Sequence, residues 1–249
     1  MVLVVSTVAF ARPENGISWG FDIDQHVSES DDDEGCFKSD FTDPYGNEGV
    51  DNAFATLLPV LEMTEAAATE AIIQNSINNG ELLMLLEISG IQDRQNDECV
   101  TVNLFRSHGT PLVGTDGTLL DGQTFERALD LPHAVVHDVA IVDGWLDAVP
   151  LDIELPVQIL DHKLDLLLTD GGFHIELAAD GSAQGFLGGA VPLQLFADIL
   201  DLPNVNLPEN IAPLILSAGD LFPDEQGTCQ DISVAFQYQG IPAHFYAED

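Results

Sequence analysis

Forty-three Asp and Glu residues stand against six Lys and Arg in this chain, a formal charge of −37 at pH 7. A compact chain with that charge repels itself, so it must keep its carboxylates wet and supply cations wherever it gathers them. The same charge excludes nucleic acid as a partner, because phosphate recognition needs Lys and Arg that are not here. Asp outnumbers Glu, 27 to 16, and two of the six cations are Lys, a balance that resembles proteins of salt-adapted organisms. Halophily is thus the plain explanation of the charge, and bound divalent cations the specific one.

The acid decorates a folded protein. Apolar residues make up 45% of the 249, ample for a core and too many for a disordered polyanion. No Pro/Ser/Gly linker or low-complexity tract divides the sequence, which predicts one β-rich domain over residues 12–249, with an acidic loop at 20–52 and helices at about 53–79. Residues 1–11 are read as a signal-peptide remnant, since the apolar run ends in Ala9-Phe10-Ala11, the A-x-A form of a signal-peptidase site. The run lacks a basic region ahead of it, and the alternative is a buried, Val-rich strand. No other apolar stretch approaches the roughly 18–20 residues that span a bilayer, so no transmembrane segment is expected.

Periodicity sets the fold class. After Asp51-Asn52, read as an N-cap, Phe54, Leu57, Leu58 and Leu61 recur at helical spacing, with Pro59 interrupting. Thr64 is read as the cap of a second helix over 65–79, ended by Gly80. From Leu82 the period changes to two. Candidate strands fall at 82–89, 100–106, 135–142, 151–160, 163–169, 173–178 and 183–191, parted by turn signals such as Asp143-Gly144, Asp170-Gly171 and Asp180-Gly181. Helical patterns return at 193–200 and 208–217, and 232–246 reads as a last strand, bent near Gly240 to Pro242. The expectation is a mainly β fold with helical insertions (α+β), an antiparallel meander forming a sandwich or half-barrel with helices packed on one side.

Three cysteines, Cys36, Cys99 and Cys229, fit one disulfide and one free thiol, and their spacing matches neither a zinc site nor a C-x-x-C redox pair. Each follows acidic residues, which disfavour the thiolate, so all three read as structural. A Cys36–Cys229 bridge is the expected pairing.

The strongest local signal is Asp22-Ile-Asp24, Asp31-Asp32-Asp33-Glu34-Gly35, Asp40, Asp43, Glu48 and Asp51-Asn52 within one glycine-bearing loop. Calcium takes six to eight oxygens in flexible geometry, at roughly 2.3–2.6 Å, and such a loop supplies them. The candidate ligands are Asp22, Asp24, Asp31, Asp33, Asp40, Asp43, Asp51 and Asn52, joined by Asp220, Asp224 and Asp231 around Cys229 if the two cysteines pair. No EF-hand spacing can be read. His133 and His137 share a face, yet four residues along a strand puts them about 13 Å apart, too far for one metal ion. There is no G-x-S-x-G elbow, no H-E-x-x-H and no phosphate-binding glycine loop, so no catalytic residues are assigned.

The stretch Gly20-Phe-Asp-Ile-Asp24, Gly35-Cys36, Asp40-Phe41, Asp43-Pro44, Gly46 and Gly49-Val-Asp-Asn52, followed by a helix and Gly114-Thr-Asp-Gly117, resembles a group of acidic exported proteins and lipoproteins of predatory and marine bacteria. The resemblance implies an exported bacterial protein with a Gly-Val-Asp-Asn signature and brings no activity with it. A lipoprotein carries a lipobox cysteine after its signal, and this sequence departs from that pattern. The expected protein is therefore extracellular, periplasmic or at the cell surface, binds divalent cations and a surface or matrix partner rather than nucleic acid, and is calcium-stabilised and non-enzymatic. A carrier of an apolar ligand in a β half-barrel and a secreted hydrolase using a carboxylate pair are the alternatives.

Overall fold

The computed structural model describes residues 1–33, 35–63, 68–128, 130–159, 162–200 and 211–246, apart from the side chains of 157–165, 199–200 and 211. Strand β1 (Val2–Phe10) precedes the acidic loop, whose described residues form the short hairpin of β2 (Phe41–Thr42) and β3 (Glu48–Val50). A 3-10 helix at Ala53–Leu57 runs into α1 (Leu58–Leu61), with Pro59 in the first turn of α1, where its missing N–H costs nothing. Proline thus divides the expected first helix. Helix α2 (Thr69–Asn78) follows and stops before Gly80, whose φ of 80° only glycine adopts cheaply. The expected cap at Thr64 lies outside the described residues.

Long strands then dominate: β4 (Met84–Ser89), β5 (Asn96–Arg106), β6 (Gln123–Phe125), β7 (Ala134–Val142), β8 (Trp145–Ile159), β9 (His162–Leu177) and β10 (Ala183–Pro192). Helices α3 (Leu193–Leu200) and α4 (Ile211–Leu216), then β11 (Leu221–Pro223) and β12 (Cys229–Phe245), follow. The fold is mostly β, as the period-two alternation predicts.

Strands β4, β5, β7, β8, β9, β10 and β12 are neighbours in that order, and β1 pairs antiparallel with both β4 and β12. Eight strands thus pair in a closed cycle. Val2–Phe10, read from sequence as a signal remnant, occupies the position the buried-strand alternative gives it: Leu3, Val4 and Val5 are fully buried, and the Met1 amino group donates to the Ile88 carbonyl at 2.8 Å.

The turn chemistry separates two kinds of Asp-Gly. At Asp143-Gly144 both φ values are positive, 52° and 86°, and Val142 pairs with Trp145, a two-residue hairpin of the type that matches strand twist. Asp170-Gly171 also has Asp170 at a φ of 52°, yet there the strand continues: the expected strands 163–169 and 173–178 are one element, β9, with a register shift opposite Gly188 and Ala190. That is a bulge. A Cβ on Gly171 would sit 1.8 Å from the Gly188 carbonyl oxygen, so glycine there serves close approach of β10 and not chain reversal. Near Gly240 to Pro242, where a bend was expected, β12 leaves its ladder with β10 at Gly240 and takes up parallel β6 from Ala243.

One continuous core fills the molecule, running from Leu3 and Val5 through Leu85, Ile153 and Phe173 to Ile232 and Phe236. Helix α2 contacts both β1 and β8, which stand opposite each other in the cycle, and it buries Ile73 and Ile77 there. Phe54 of the 3-10 helix packs against Phe10 and Phe196, at 5.3 and 5.7 Å between ring centroids. Among the described residues, no helix is long and apolar enough to cross a membrane.

Candidate functional site

The acidic loop is pinned to the sheet at Cys36 and Asn52 and closed on itself by a bridge between its two ends. Cys36 is disulfide-bonded to Cys229 at the start of β12, the pairing expected from sequence. Phe21 forms an antiparallel bridge with Asp51, and the Asp51 amide donates to the Phe21 carbonyl at 2.9 Å. Asn52, 1% exposed, donates from Nδ2 to the Ala11 carbonyl and the Ser18 hydroxyl, and its Oδ1 accepts from the Ala235 amide. Its side chain makes no helix cap. Both ends of the Asn52 amide are engaged by protein groups, so this candidate ligand acts as a clamp between β1, the loop and β12.

The bridge at Asp51 brings carboxylates together. Ligand oxygens of Asp22, Asp24 and Asp51 all lie within 4.8 Å of one another, graded from exposed Asp22 through half-buried Asp24 to Asp51 at 2% exposure. Glycine makes the crossing possible: a Cβ on Gly20 would stand 2.8 Å from the Asp51 carbonyl oxygen, and Gly49, at a φ of 88°, leaves room beside the Asp22 carboxylate. Asp51 Oδ2 accepts the Ile23 amide at 2.6 Å, which fixes the carboxylate against the turn carrying Asp22 and Asp24.

Two further acids surround this trio. Asp40 accepts the Ser28 amide at 2.6 Å, and its charge adds to the upward push on the Asp51 carboxyl. Asp220, 5% exposed, accepts both the amide and the hydroxyl of Ser233, whose oxygen in turn takes the Ala53 amide. Burial, with the neighbouring charge of Asp24, pushes the Asp51 carboxyl up to about 9. Burial likewise lifts Asp220 to about 7 against the two Ser233 hydrogen bonds, and Asp40 to about 6 against the Ser28 amide. Asp24 is raised too, mainly by burial. Without a counter-charge this cluster holds protons near neutral pH.

The other candidates stand apart. Asp31 and Asp33 are exposed. Asp43 takes the Tyr45 and Asn47 amides in the β2–β3 turn, and Asp224 takes the Gln226 and Thr228 amides in the β11–β12 turn. Asp231 lies within β12, paired with Leu221. These are turn and strand residues in their local geometry. The oxygen-only donor set of Asp22, Asp24 and Asp51 suits a hard cation such as calcium, and it lacks the His and Cys donors that zinc selects. Sequence spacing missed the roles of Gly20, Gly49 and the Ile23 amide; glycines flanking both Asp22-Ile-Asp24 and Asp51 are the signal that pointed to them.

The remaining chemistry is sparse. Cys99 is an exposed free cysteine that donates to Asp138, and that carboxylate raises its thiol. His108 pairs with Asp130, not with Ser107, whose hydroxyl donates to the His108 carbonyl. His133 stacks on Phe105 while His137 faces Thr101. No family model, no curated protein and no solved structure matches this chain.

Proposed function

We propose that this protein is an exported, calcium-stabilised, non-enzymatic binding protein of the cell surface or extracellular matrix. The observation that carries the ion is the convergence of Asp22, Asp24 and Asp51 within 4.8 Å around a carboxylate that is 2% exposed. A divalent cation replaces the protons such a cluster would otherwise hold, and the exposed Asp22 gives the ion a way in. The disulfide fits an oxidising compartment, where such bonds persist. The scaffold is read as barrel-like, with eight strands in a cycle and α2 across its end, and this offers an apolar ligand less room than an open half-barrel would.

Hydrolysis by a carboxylate pair is a second reading, favoured by the nearness of Asp40, whose charge raises the Asp51 carboxyl. Against it, Asp51 is nearly inaccessible, so a substrate has no approach to one member of the pair. Thermal melting after chelation, with calcium, magnesium or ionic-strength-matched sodium chloride added back, tests the main proposal. A rise in Tm at sub-millimolar calcium that salt does not reproduce is expected, because a ligand that binds only the folded state stabilises it by mass action. If only molar salt raises Tm, the charge is general halophily and the calcium proposal fails.

A further inference from the structure

We propose that the outer face of β1, β12, β10, β9 and β8 is a binding groove for a neutral, hydroxyl-rich glycan chain. The register of four adjacent ladders sets Thr7, Gln239, Gln184, Glu176 and Trp145 side by side in one row across five strands. A second row, two residues along each strand, carries Gln237, Phe186, His174 and Asp147. The alternate residues Val8, Tyr238, Ile175 and Leu146 point into the core, at 8%, 3%, 0% and 3% exposure. The face is therefore a selected set of side chains on a rigid sheet.

Trp19, just ahead of the acidic loop, and Tyr45 within it stand over this face and complete a groove of about 350 Å³, within the ~300–1,000 Å³ of small-molecule sites. Tyr45 meets Trp145 edge-on at 4.8 Å and Trp19 at 5.7 Å, while 57% of Tyr45 remains exposed. The His174 ring stacks on Phe186 at 4.8 Å, is held by Asp147 through Nδ1, and leaves Nε2 with no hydrogen-bond partner among the described residues. A buried polar atom so placed is costly unless a ligand or water meets it.

The chemistry of the face selects the ligand class. In a chain of charge −37, the groove presents the amides of Gln237 and Gln239 beside Gln184, whose amide engages the groove's carboxylate Glu176, while Asp147 on the same face is held by His174. Amides both donate and accept, as sugar hydroxyls do, and aromatic rings offer flat apolar faces to the C–H faces of a sugar ring. Anionic ligands are repelled by the surrounding surface. A polyproline peptide also seeks aromatic rings, but it needs apolar slots between them, where this face has a row of amides. The inference is independent of the calcium proposal, although Tyr45 belongs to the loop that the ion would order and Trp19 adjoins it.

Affinity electrophoresis through gels containing soluble β-glucan, xylan, mannan or galactan, with a proline-rich peptide titrated in parallel, tests this in calcium and in chelator. Retardation in at least one glycan gel is expected, weakened about tenfold or more in Trp145→Ala, as for loss of an aromatic anchor. The exposed Tyr45→Ala and the double variant Gln237→Ala/Gln239→Ala keep the test open if Trp145→Ala fails to fold. Free migration of the wild type in all four gels, binding of the peptide instead, or retardation unchanged in every variant overturns the proposal. Retardation lost only in chelator upholds the groove and shows that the loop depends on the ion; retardation equal in both, with no calcium effect on Tm, upholds the groove and sinks the calcium reading alone.

Discussion

Asp51 and Asn52 are consecutive, both almost wholly buried, and serve opposite partners: Asp51 faces the carboxylates of Asp22 and Asp24, while Asn52 ties Ala11 to Ala235. The two substitutions should therefore separate cleanly. Asp51→Asn keeps an acceptor for the Ile23 amide and removes the buried acid. In chelator its Tm is expected to match or exceed the wild type, and its calcium-induced rise should vanish. Asn52→Ala leaves buried backbone groups unpaired, at about 2–4 kcal/mol in total, with or without calcium. Differential scanning calorimetry of both variants checks this, with Asp31→Asn and Asp33→Asn as near-neutral controls.

The calcium-free protein should lose stability as pH rises. A carboxyl whose folded pKa stands above its ordinary value of 3.8 binds its proton more tightly when folded, so its contribution is complete in acid. That contribution is lost as pH climbs through about 6 for Asp40, about 7 for Asp220 and about 9 for Asp51. Urea unfolding in chelator at pH 5, 7 and 9 should give falling midpoints, and saturating calcium should flatten or reverse the trend, since the ion competes with the proton. Midpoints that rise with pH in chelator would contradict the cluster described here.

Removing the Cys36–Cys229 bond frees a loop separated by 193 residues from its anchor. The double variant Cys36→Ser/Cys229→Ser is expected to lose about 2–5 kcal/mol, with chain entropy the usual account. Calcium should bind more weakly too, because the bond restrains the segment between Asp24 and Asp40. Isothermal titration with calcium, beside urea unfolding, reads both effects; unchanged affinity would mean that the Phe21–Asp51 bridge suffices to hold the site.

Arg127, one of six cations, lies 4.0 Å from the Phe245 ring centroid and 5.5 Å from that of Phe105, and it also pairs with Glu87 at 2.8 Å. Its partly buried setting makes the contact worth more than a surface ion pair. Arg127→Ala should cost about 1–3 kcal/mol, and Arg127→Lys should recover only part of it because ammonium lacks the planar face. Chemical denaturation of the pair decides; equal stabilities of the lysine variant and the wild type would reduce the role to charge.

Strand positions were legible because their signal is local: alternate residues are buried along much of β5 and β7, while β4 and β10 show as near-continuous apolar runs. What Asp170-Gly171 does was not, since a turn and a bulge demand the same positive φ and differ only in whether a neighbouring strand continues. The cycle was equally hidden, because β1 meets β4 and β12 by contacts distant in sequence. Among the candidate acids, Asp43 and Asp224 look like Asp22 and Asp24 in composition. Their side chains are taken by amides two and four residues ahead, a short-range competition that a count of carboxylates does not register. Cys99 illustrates the converse: a carboxylate does raise its thiol, but the main one is Asp138 across the ladder and not its sequence neighbours.

The pairing of Val2 with Ala243 carries a kinetic consequence. The first strand has no lasting partner until β4 arrives, and its longer ladder, with β12, waits for the last described strand to emerge. Topologies of such long-range contact fold slowly, and a growing chain of this kind stays unclosed until β12 has been made. Strong like-charge repulsion then keeps the waiting chain expanded and apart from its neighbours. A polypeptide with these two properties can wait, unpaired and apart from its neighbours, for the strand that closes its cycle.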